Sequence, residues 1–418
     1  MAVLLLVCFV LAQLIRPKID NPPVTADIGA PAPVEAILRR GCYDCHSNET
    51  HLLWFDKITP ANFIVASHIR DGRAVLNFSN WDSVPKAQRL AKLYESLNQA
   101  TFNVMPLGDY LKFHAGAKIT DSDIAVLQNY LVSITPVVHP DTAISKAADL
   151  QYTSWLAAAA RTQPIPAEFN GINFPTGFDH WQVISTTNRF DNGTLRVIYG
   201  NPIAVQAIAA HHTQPWPDST IFAKAAWDQR ADSTGIVKAG SYKQVEFMIK
   251  DQAKYASTGG WGFARWVKGT SLTPYGKDAT FTTDCMNCHA SMQPNDRVFT
   301  IPMQPHEGLL ITSGLDKQKH LMFSLYGNEI AVAALRSAGT EQHPAGTTLT
   351  LVTWAQRPDP HWFGGNIPDQ QISEEKIAFT SDGKGGIVPT YTVSGTAPGA
   401  ASDRLAFILG LRASVVPK

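Results

Sequence analysis

The stretch "PDSTIFAKAAWDQR" (217–230) returns later in the chain as "PAGTTLTLVTWAQR" (344–357). The two copies share a proline, a threonine, a tryptophan and a closing Gln-Arg in the same register. Both have the short, β-branched and aromatic composition that is typical of strands. One position differs in kind, because Lys224 in the first copy corresponds to Leu351 in the second. The repeat therefore predicts two related β-rich units and singles out Lys224.

The similarity extends towards the N-terminus of both copies. "LRVIYGNPIAVQAI" (195–208) matches "MFSLYGNEIAVAAL" (322–335) without a gap, and self-similarity at a fixed spacing is the signature of a repeated unit. We predict units at 165–305 and 306–418, each an antiparallel sheet with a helix. The predicted elements of the first unit are the strands "HWQVIST" (180–186), "TLRVIYG" (194–200), "STIFAKAAW" (219–227), "QVEFMIKD" (244–251) and "GWGFARWVK" (260–268), and the helix "NPIAVQAIAAHH" (201–212).

Residues 36–135 have the 3.6-residue periodicity of helices, with Thr120 and Asp121 placed as a helix cap, and we predict an α-helical domain at 16–137. The Pro-rich segment 138–164 is predicted to be a linker. The fold class is therefore multidomain α+β, with an α-helical domain followed by the two β-rich units. The helical stretches are "ANFIVASHIRDG" (61–72), "PKAQRLAKLYESLNQ" (85–99) and "TDSDIAVLQNYLVSI" (120–134).

The first residues, 1–15, form an apolar segment. A membrane-spanning helix needs about 20 residues and the core of a signal peptide about 7 to 15, so the segment fits an export signal or a short anchor. No small-residue cleavage site follows it, which favours an uncleaved anchor in the cytoplasmic membrane and a periplasmic protein. Lys plus Arg and Asp plus Glu number 35 each, so the chain lacks the basic excess expected of a nucleic-acid partner.

The cysteines outside the apolar segment form two Cys-x-x-Cys-His motifs, "CYDCH" (42–46) and "CMNCH" (285–289). Such spacing is typical of a zinc site, a redox dithiol or an attached c-type haem. The histidine after each pair favours haem, because the thiols can bond to the vinyl groups while the imidazole coordinates iron. A shared zinc site would leave both histidines unexplained. We predict two covalent c-type haems, held by Cys42, Cys45 and His46 and by Cys285, Cys288 and His289.

The first haem requires a second axial ligand from outside its motif. Met105, which precedes Pro106, lies at a suitable distance along the chain from the first motif. A thioether ligand raises the reduction potential of a haem, which suits electron transfer. His68 and His114 are the alternatives.

Strand alternation places Lys224 on the same face as Phe222, opposite Ala223 and Trp227, and both faces are largely apolar. The ordinary interpretation is a solvated lysine. The second copy, however, has Leu351 at this position, which indicates an inward side chain. Burying an ammonium is costly unless it is paired or loses its proton, and a neutral amine is a nucleophile.

Residues 15–137 resemble a family of bacterial haem-binding domains. The resemblance is carried by "CYDCHSNET" (42–50), "GRAVLNFSNW" (72–81) and the Met105-Pro106 pair. It implies that His46 and Met105 are the axial ligands of the first haem.

Residues 165–303 resemble cytochrome P-460. The matching positions are Arg196 and Tyr199; Asp218, Thr220 and Lys224; Trp261 and Phe263; Cys285, Cys288 and His289; and residues 296–300. The resemblance implies a haem with His289 as proximal ligand, Lys224 bonded covalently to the porphyrin edge, and Arg196 directed at a ligand on an open distal face. It also implies a distal carboxylate that accepts protons, for which Asp278 is our candidate, with Asp284 and Thr280 as alternatives.

Members of that family oxidise hydroxylamine, alone or with nitric oxide, towards nitrous oxide, and relatives without the lysine only bind nitric oxide. The resemblance therefore implies a haem-dependent oxidoreductase that passes electrons through the first haem to a redox partner protein. The alternative is a non-enzymatic cytochrome that binds nitric oxide, or an electron-transfer subunit of a larger membrane complex. We expect the two β-rich units to form a pseudo-dimer, with the haemless copy in place of a second subunit.

Overall fold

The chain folds into two compact units, residues 1–135 and residues 136–418. The computed structural model describes residues 1–158, 164–268, 272–336 and 343–416. The expected order of a helical region followed by a β-rich region is confirmed.

The first unit is helical, and the apolar stripes of its helices form its core. Thr120 caps the last helix through a reciprocal capping box with Asp123, as the sequence predicts. Among the described residues, no helix combines the length and the apolar character that crossing a membrane requires. The helices of this unit are α1 (Ala2–Ala12), α2 (Ala32–Gly41), α3 (Tyr43–His46), α4 (Ala61–Val75), α5 (Lys86–Thr101), α6 (Gly108–Leu111) and α7 (Asp121–Ile134).

The second unit is built on one antiparallel sheet. The predicted strands and the helix at 201–212 are all found in it. Its helices are α8 (Thr142–Ala158), α9 (Pro202–Ala209), α10 (Phe281–His289), α11 (Glu329–Arg336) and α12 (Ala401–Leu409). Its strands are β1 (Gln182–Arg189), β2 (Thr194–Gly200), β3 (Ile221–Ala231), β4 (Ile236–Lys250), β5 (Trp261–Lys268), β6 (Leu272–Pro274), β7 (Leu309–Asp316), β8 (Leu321–Gly327), β9 (Thr348–Pro358), β10 (Gly365–Ser381) and β11 (Ile387–Gly395).

The sheet closes on itself, in the order β1-β2-β3-β4-β7-β8-β9-β10 and back to β1. The closing contacts pair Arg189 of β1 with Gly365 of β10, and Val237 of β4 with Leu315 of β7. Strands β5 and β6 continue outward from β4, and β11 pairs with β10. The elements from β1 to β4 and those from β7 to β10 therefore occupy the two halves of one closed sheet.

The order of elements in the first half recurs in the second. The series β1, β2, α9, β3, β4, β5 has its counterpart in β7, β8, α11, β9, β10, β11, and a helix follows each series, α10 or α12. Equivalent rows of side chains run across the paired strands. One such row in the first half consists of Ile198, Lys224, Glu246 and Arg265. Its counterpart in the second half consists of Leu325, Leu351, Glu375 and Val393.

Apolar side chains cover both faces of the sheet. One core contains residues of both halves, including Trp227, Tyr242, Tyr326 and Trp354, and so joins them. The opposite face has a separate core in each half, around Phe222 in the first and around Leu351 in the second. A strand such as β3 is thus apolar on both sides, as expected.

The predicted linker at 138–164 contains the helix α8. Ala148, Tyr152 and Trp155 lie at helical spacing, and the first of these is buried while the other two pack against the shared core. Trp155 Nε1 also donates to Val416 O at 2.9 Å. The flanking prolines led us to predict a linker and to miss this short periodic segment. A part of the expected linker is therefore a packed helix of the second unit. Residues 159–163 of that segment lie outside the described residues.

Candidate functional site

Helix α10 carries the second Cys-x-x-Cys-His motif. It packs on the face of the sheet that contains Phe222. His289 lies between the rings of Phe263 and Phe299, each with its centroid 5.1 Å from the imidazole. Its Nδ1 is 2.7 Å from the backbone oxygen of Arg297, so Nδ1 donates and Nε2 keeps its lone pair. Burial lowers the pKa of His289 to about 4. A partly buried, neutral and oriented imidazole of this kind is suited to bind iron.

Cys285 packs at the edge of the core that contains Ile198, Phe222 and Phe263. Burial raises its pKa to about 12, whereas reactive dithiols have thiols with lowered pKa values. The charges of Glu246, Arg265 and Lys224 also act on this thiol. The motif and the charged row of the sheet are therefore neighbours.

Lys224 forms an ion pair with Glu246, its cross-strand neighbour. Its side chain is only 30% exposed. Burial lowers the pKa of Lys224, with Arg196 adding to the effect and Glu246 opposing it. Lys224 is therefore the inward lysine that the repeat indicates, and its charge is balanced by a partner that the sequence did not identify.

Glu246 is the centre of a charged cluster. Its Oε1 accepts from Gln244 Nε2 at 2.7 Å and lies 3.6 Å from Arg265 Nε. Burial raises the pKa of the Glu246 carboxyl, but the cations Lys224, Arg265 and Arg196 lower it more, and the net shift is downward. This carboxylate stays ionised in a largely desolvated place.

Arg196 lies on the row next to Lys224, where it is paired in register with Ala226. Burial, followed by the charge of Arg189, lowers its pKa to about 10, so it remains a cation at neutral pH. Its Nε donates to Thr194 Oγ1 at 3.3 Å. Arg196 and Lys224, both predicted from the sequence, are thus close enough for the charge of Arg196 to lower the pKa of Lys224.

Asp278, the predicted distal carboxylate, lies elsewhere. It is exposed in the turn before α10 and accepts from the backbone N–H of Thr280 at 2.9 Å. Asp284 and Thr280 are exposed too. The carboxylate beside Lys224 is Glu246, which sequence reasoning missed. The available signal was that Glu246 is a charged residue between apolar neighbours in the predicted strand "QVEFMIKD".

The first motif is held in a similar way by α3 and α4. His46 Nδ1 lies 3.0 Å from Gly72 O and 3.1 Å from Leu76 O, and burial lowers the pKa of the imidazole. A Cβ at Gly72 would lie 2.7 Å from Cys45 O, so glycine is required for the close approach of these helices. His46 is therefore also a neutral imidazole with Nε2 left for a metal.

Of the possible second ligands, His114 is engaged on both sides of its ring. Its Nε2 lies 3.2 Å from Asp56 Oδ2, its Nδ1 lies 3.1 Å from Tyr110 O, and its ring stacks on Tyr110. His68 Nε2 is 4.0 Å from Asp109 Oδ2. Met105 lies in the turn after α5 and is 37% exposed. Met105 remains our prediction for the ligand.

Replacing Met105 with alanine should open the sixth coordination position of the first haem, because alanine offers no donor atom. We expect the reduced variant to bind carbon monoxide at this haem, and the reduction potential to fall as the thioether is lost. A carbon monoxide titration followed by visible spectroscopy measures this. His114→Ala is the matched control and should leave this haem closed. Binding in the His114 variant alone would assign the ligand to His114.

Two partly buried imidazoles, each in a Cys-x-x-Cys-His motif and each oriented by a backbone carbonyl, define a haem cytochrome. The family models agree with this class. Residues 4–133 match the haem-binding domain and residues 175–300 match cytochrome P460, so the expected fusion of these two domains is confirmed. No curated protein matches the chain.

Proposed function

We propose that the protein is an exported dihaem c-type cytochrome whose second haem is cross-linked to Lys224 and oxidises hydroxylamine, with or without nitric oxide. The observation that carries this proposal is the inward position of Lys224 beside the second motif, in a row where the other half of the sheet has Leu351. When bound, the haem supplies a redox-active iron that takes up the amine nitrogen and removes electrons from it.

The side chains of the site have distinct tasks in this proposal. Cys285 and Cys288 attach the haem, and His289 presents Nε2 to iron. Lys224 loses its positive charge when its nitrogen is bonded to the porphyrin. Glu246 still has a cationic neighbour in that state, because Arg265 lies next to it. Because the cross-link removes the charge of Lys224, the first of the cations that lower the pKa of Glu246, the carboxylate becomes a better acceptor for the protons that hydroxylamine releases on oxidation.

Arg196 would hold a positive charge near the bound ligand. It stays protonated at neutral pH although it is buried, and a cation in a desolvated place attracts a polar ligand more strongly than it does in water. Electrons leaving the second haem would pass through the haem held by His46 and Met105 to a redox partner protein.

We also propose that the second half is a haemless copy of the first and acts as its intramolecular partner. Helix α12 stands where α10 stands in the first half, and it inserts Arg404, whose Nη2 lies 2.6 Å from Glu375 Oε1. Phe407 of the same helix packs on Phe323, the counterpart of Arg196, with ring centroids 5.3 Å apart. In this proposal, these side chains fill in the second half the position that a haem takes in the first.

The apolar N-terminal segment is proposed to anchor the protein on the periplasmic side of the cytoplasmic membrane. Helix α1, which is fully described, buries none of its residues. The next residue, Gln13, exchanges two hydrogen bonds with the backbone of Thr59, at 3.1 and 2.8 Å. Since the end of the segment is part of the folded helical unit, this contact supports retention of the segment over cleavage.

One observation favours the non-enzymatic alternative. Lys224 is held by Glu246, and a lysine that stays in an ion pair is protonated and is not a nucleophile. Such a site would bind nitric oxide without oxidising hydroxylamine, alone or as part of a larger membrane complex.

Anaerobic mixing of the ferric protein with hydroxylamine, beside Lys224→Leu, tests the function. We expect reduction of haem in the native protein and none in the variant, which adopts the residue found at the corresponding Leu351. The exposed Lys243 on β4 supplies the control Lys243→Leu, which should react like the native protein. Mass spectrometry of denatured haem peptides reports the cross-link. If native protein and Lys224 variant are both inert, the catalytic proposal fails and the alternative stands.

A further inference from the structure

A buried ion pair joins the end of β4 to the turn that follows the second motif. Lys250 Nζ is 2.8 Å from Asp296 Oδ1 and 2.9 Å from Oδ2, and the lysine side chain is only 3% exposed. The ammonium also lies 4.8 Å from the centre of the Trp261 ring. Replacing such pairs with apolar residues is often neutral or stabilising, so the burial of this one calls for a reason other than stability.

Asp296 belongs to a constrained turn that follows the second motif. Asp296 and Arg297 have φ values of 47° and 64°, a left-handed conformation that residues other than glycine rarely adopt twice in succession. The turn is held at several points. Trp261 Nε1 donates to Asp296 O at 2.8 Å, the Trp216 backbone N–H donates to Asp296 Oδ2 at 2.9 Å, and Lys250 binds both carboxylate oxygens. The ion pair is therefore the side-chain support of this turn.

The turn matters because the oxygen of Arg297 is the acceptor for His289 Nδ1, at 2.7 Å. A hydrogen bond at this nitrogen fixes the orientation of an imidazole ligand and increases its basicity at the other nitrogen. We infer that Lys250 and Asp296 are positioning residues for His289: they hold the turn that aims the Arg297 carbonyl, and through it they set the strength of the bond from His289 to iron.

The other half of the sheet shows that the fold does not require this pair. The Lys250 backbone N–H donates to Thr220 O at 2.8 Å, and the Phe379 N–H donates to Thr347 O at 2.9 Å, so Phe379 is the counterpart of Lys250. Phe379 stacks on His343, with ring centroids 4.5 Å apart. The buried cation is thus present in the half with the Cys-x-x-Cys-His motif and replaced by an aromatic ring in the half without it.

The inference rests on the proposed haem at His289 and has a direct electronic consequence. A more basic imidazole stabilises oxidised iron. Loss of the Nδ1 hydrogen bond should therefore weaken the iron–histidine bond and make reduction easier. Both effects can be measured without turnover.

The test uses the full-length haem-loaded protein and the double variant Lys250→Met/Asp296→Asn, which removes both charges and so leaves no buried ion unpaired. We expect the iron–histidine stretching band of the reduced second haem to move to lower frequency, and its midpoint potential to rise. The control is Lys243→Met/Asp228→Asn. It removes an exposed pair between β4, which also carries Lys250, and β3, with Nζ 2.8 Å from Oδ1, and should move neither quantity.

Trp261→Phe is the second variant, since it keeps the ring beside Lys250 but removes the donor to Asp296 O. It should shift the stretching frequency and the midpoint potential in the same direction as the double variant does, by a smaller amount. If the double variant does not fold, Trp261→Phe serves as the test of the inference. A haem peptide containing Cys285 and Cys288 is identified by mass first, because its absence would refute the proposed function instead. With haem attached, an unchanged band and potential in the folded variants would overturn the inference.

Discussion

Glu246→Gln should slow hydroxylamine oxidation by about 10²–10⁴-fold, the usual contribution of a positioned acid or base, while both haems stay attached. Glutamine keeps the shape of the side chain and its hydrogen bonding with Gln244, but it cannot take up a proton at neutral pH. The neighbouring side chains of Lys224 and Arg265 remain in place. Single-turnover reduction of the ferric protein by hydroxylamine measures the rate, and the visible spectrum reports haem attachment.

The second half supplies the matched control for this experiment. Glu375 stands at the corresponding position of β10, is fully buried, and pairs with Arg404. Glu375→Gln should lower the free energy of unfolding by about 3–5 kcal/mol, as for other broken buried pairs, and should leave the rate unchanged. A native rate in Glu246→Gln, or a slow rate in folded Glu375→Gln, would remove Glu246 from the mechanism.

Removing residues 306–418 should prevent residues 165–305 from folding as a monomer. The deletion exposes the edge of β1 that pairs with β10 and the edge of β4 that pairs with β7, and it opens the core shared by the two halves. We expect thermal unfolding followed by circular dichroism to show no cooperative transition for these residues.

Any folded product of that deletion should be a dimer, in which β4 of one copy pairs with β1 of another in place of β7 and β10. Analytical ultracentrifugation distinguishes the two outcomes. Residues 1–135 form a compact unit of their own and serve as the control, which should fold when expressed alone. A folded monomer of residues 1–305 with an intact β-rich part would contradict the interpretation of the halves as mutual partners.

Local patterns were sufficient to predict most elements of the fold. Alternation and β-branched residues located β1 to β5, and Thr120 marked the start of α7. The closure of the sheet could not be predicted in this way. Asn188 pairs with Asn366, although most of the sequence of the second unit lies between them. Nothing in either sequence segment by itself indicates that contact.

The same limit applies to the candidate site. The motifs at 42–46 and 285–289 are local, and comparison of the repeats identified Lys224. Glu246 belongs to the site because two strands pair in a register that sets it opposite Lys224, and register is a property of the folded sheet. Asp278 was chosen for its nearness to the motif in sequence, but the turn before α10 leaves it in solvent.

The closed sheet also imposes an order in time on the making of the protein. Synthesis proceeds from the N-terminus, so the motif at 285–289 exists before β7 to β10 have been made. Until β10 pairs with β1, the first half is an open sheet. The motif at 285–289 is therefore complete in the growing chain before the strands that close the sheet exist.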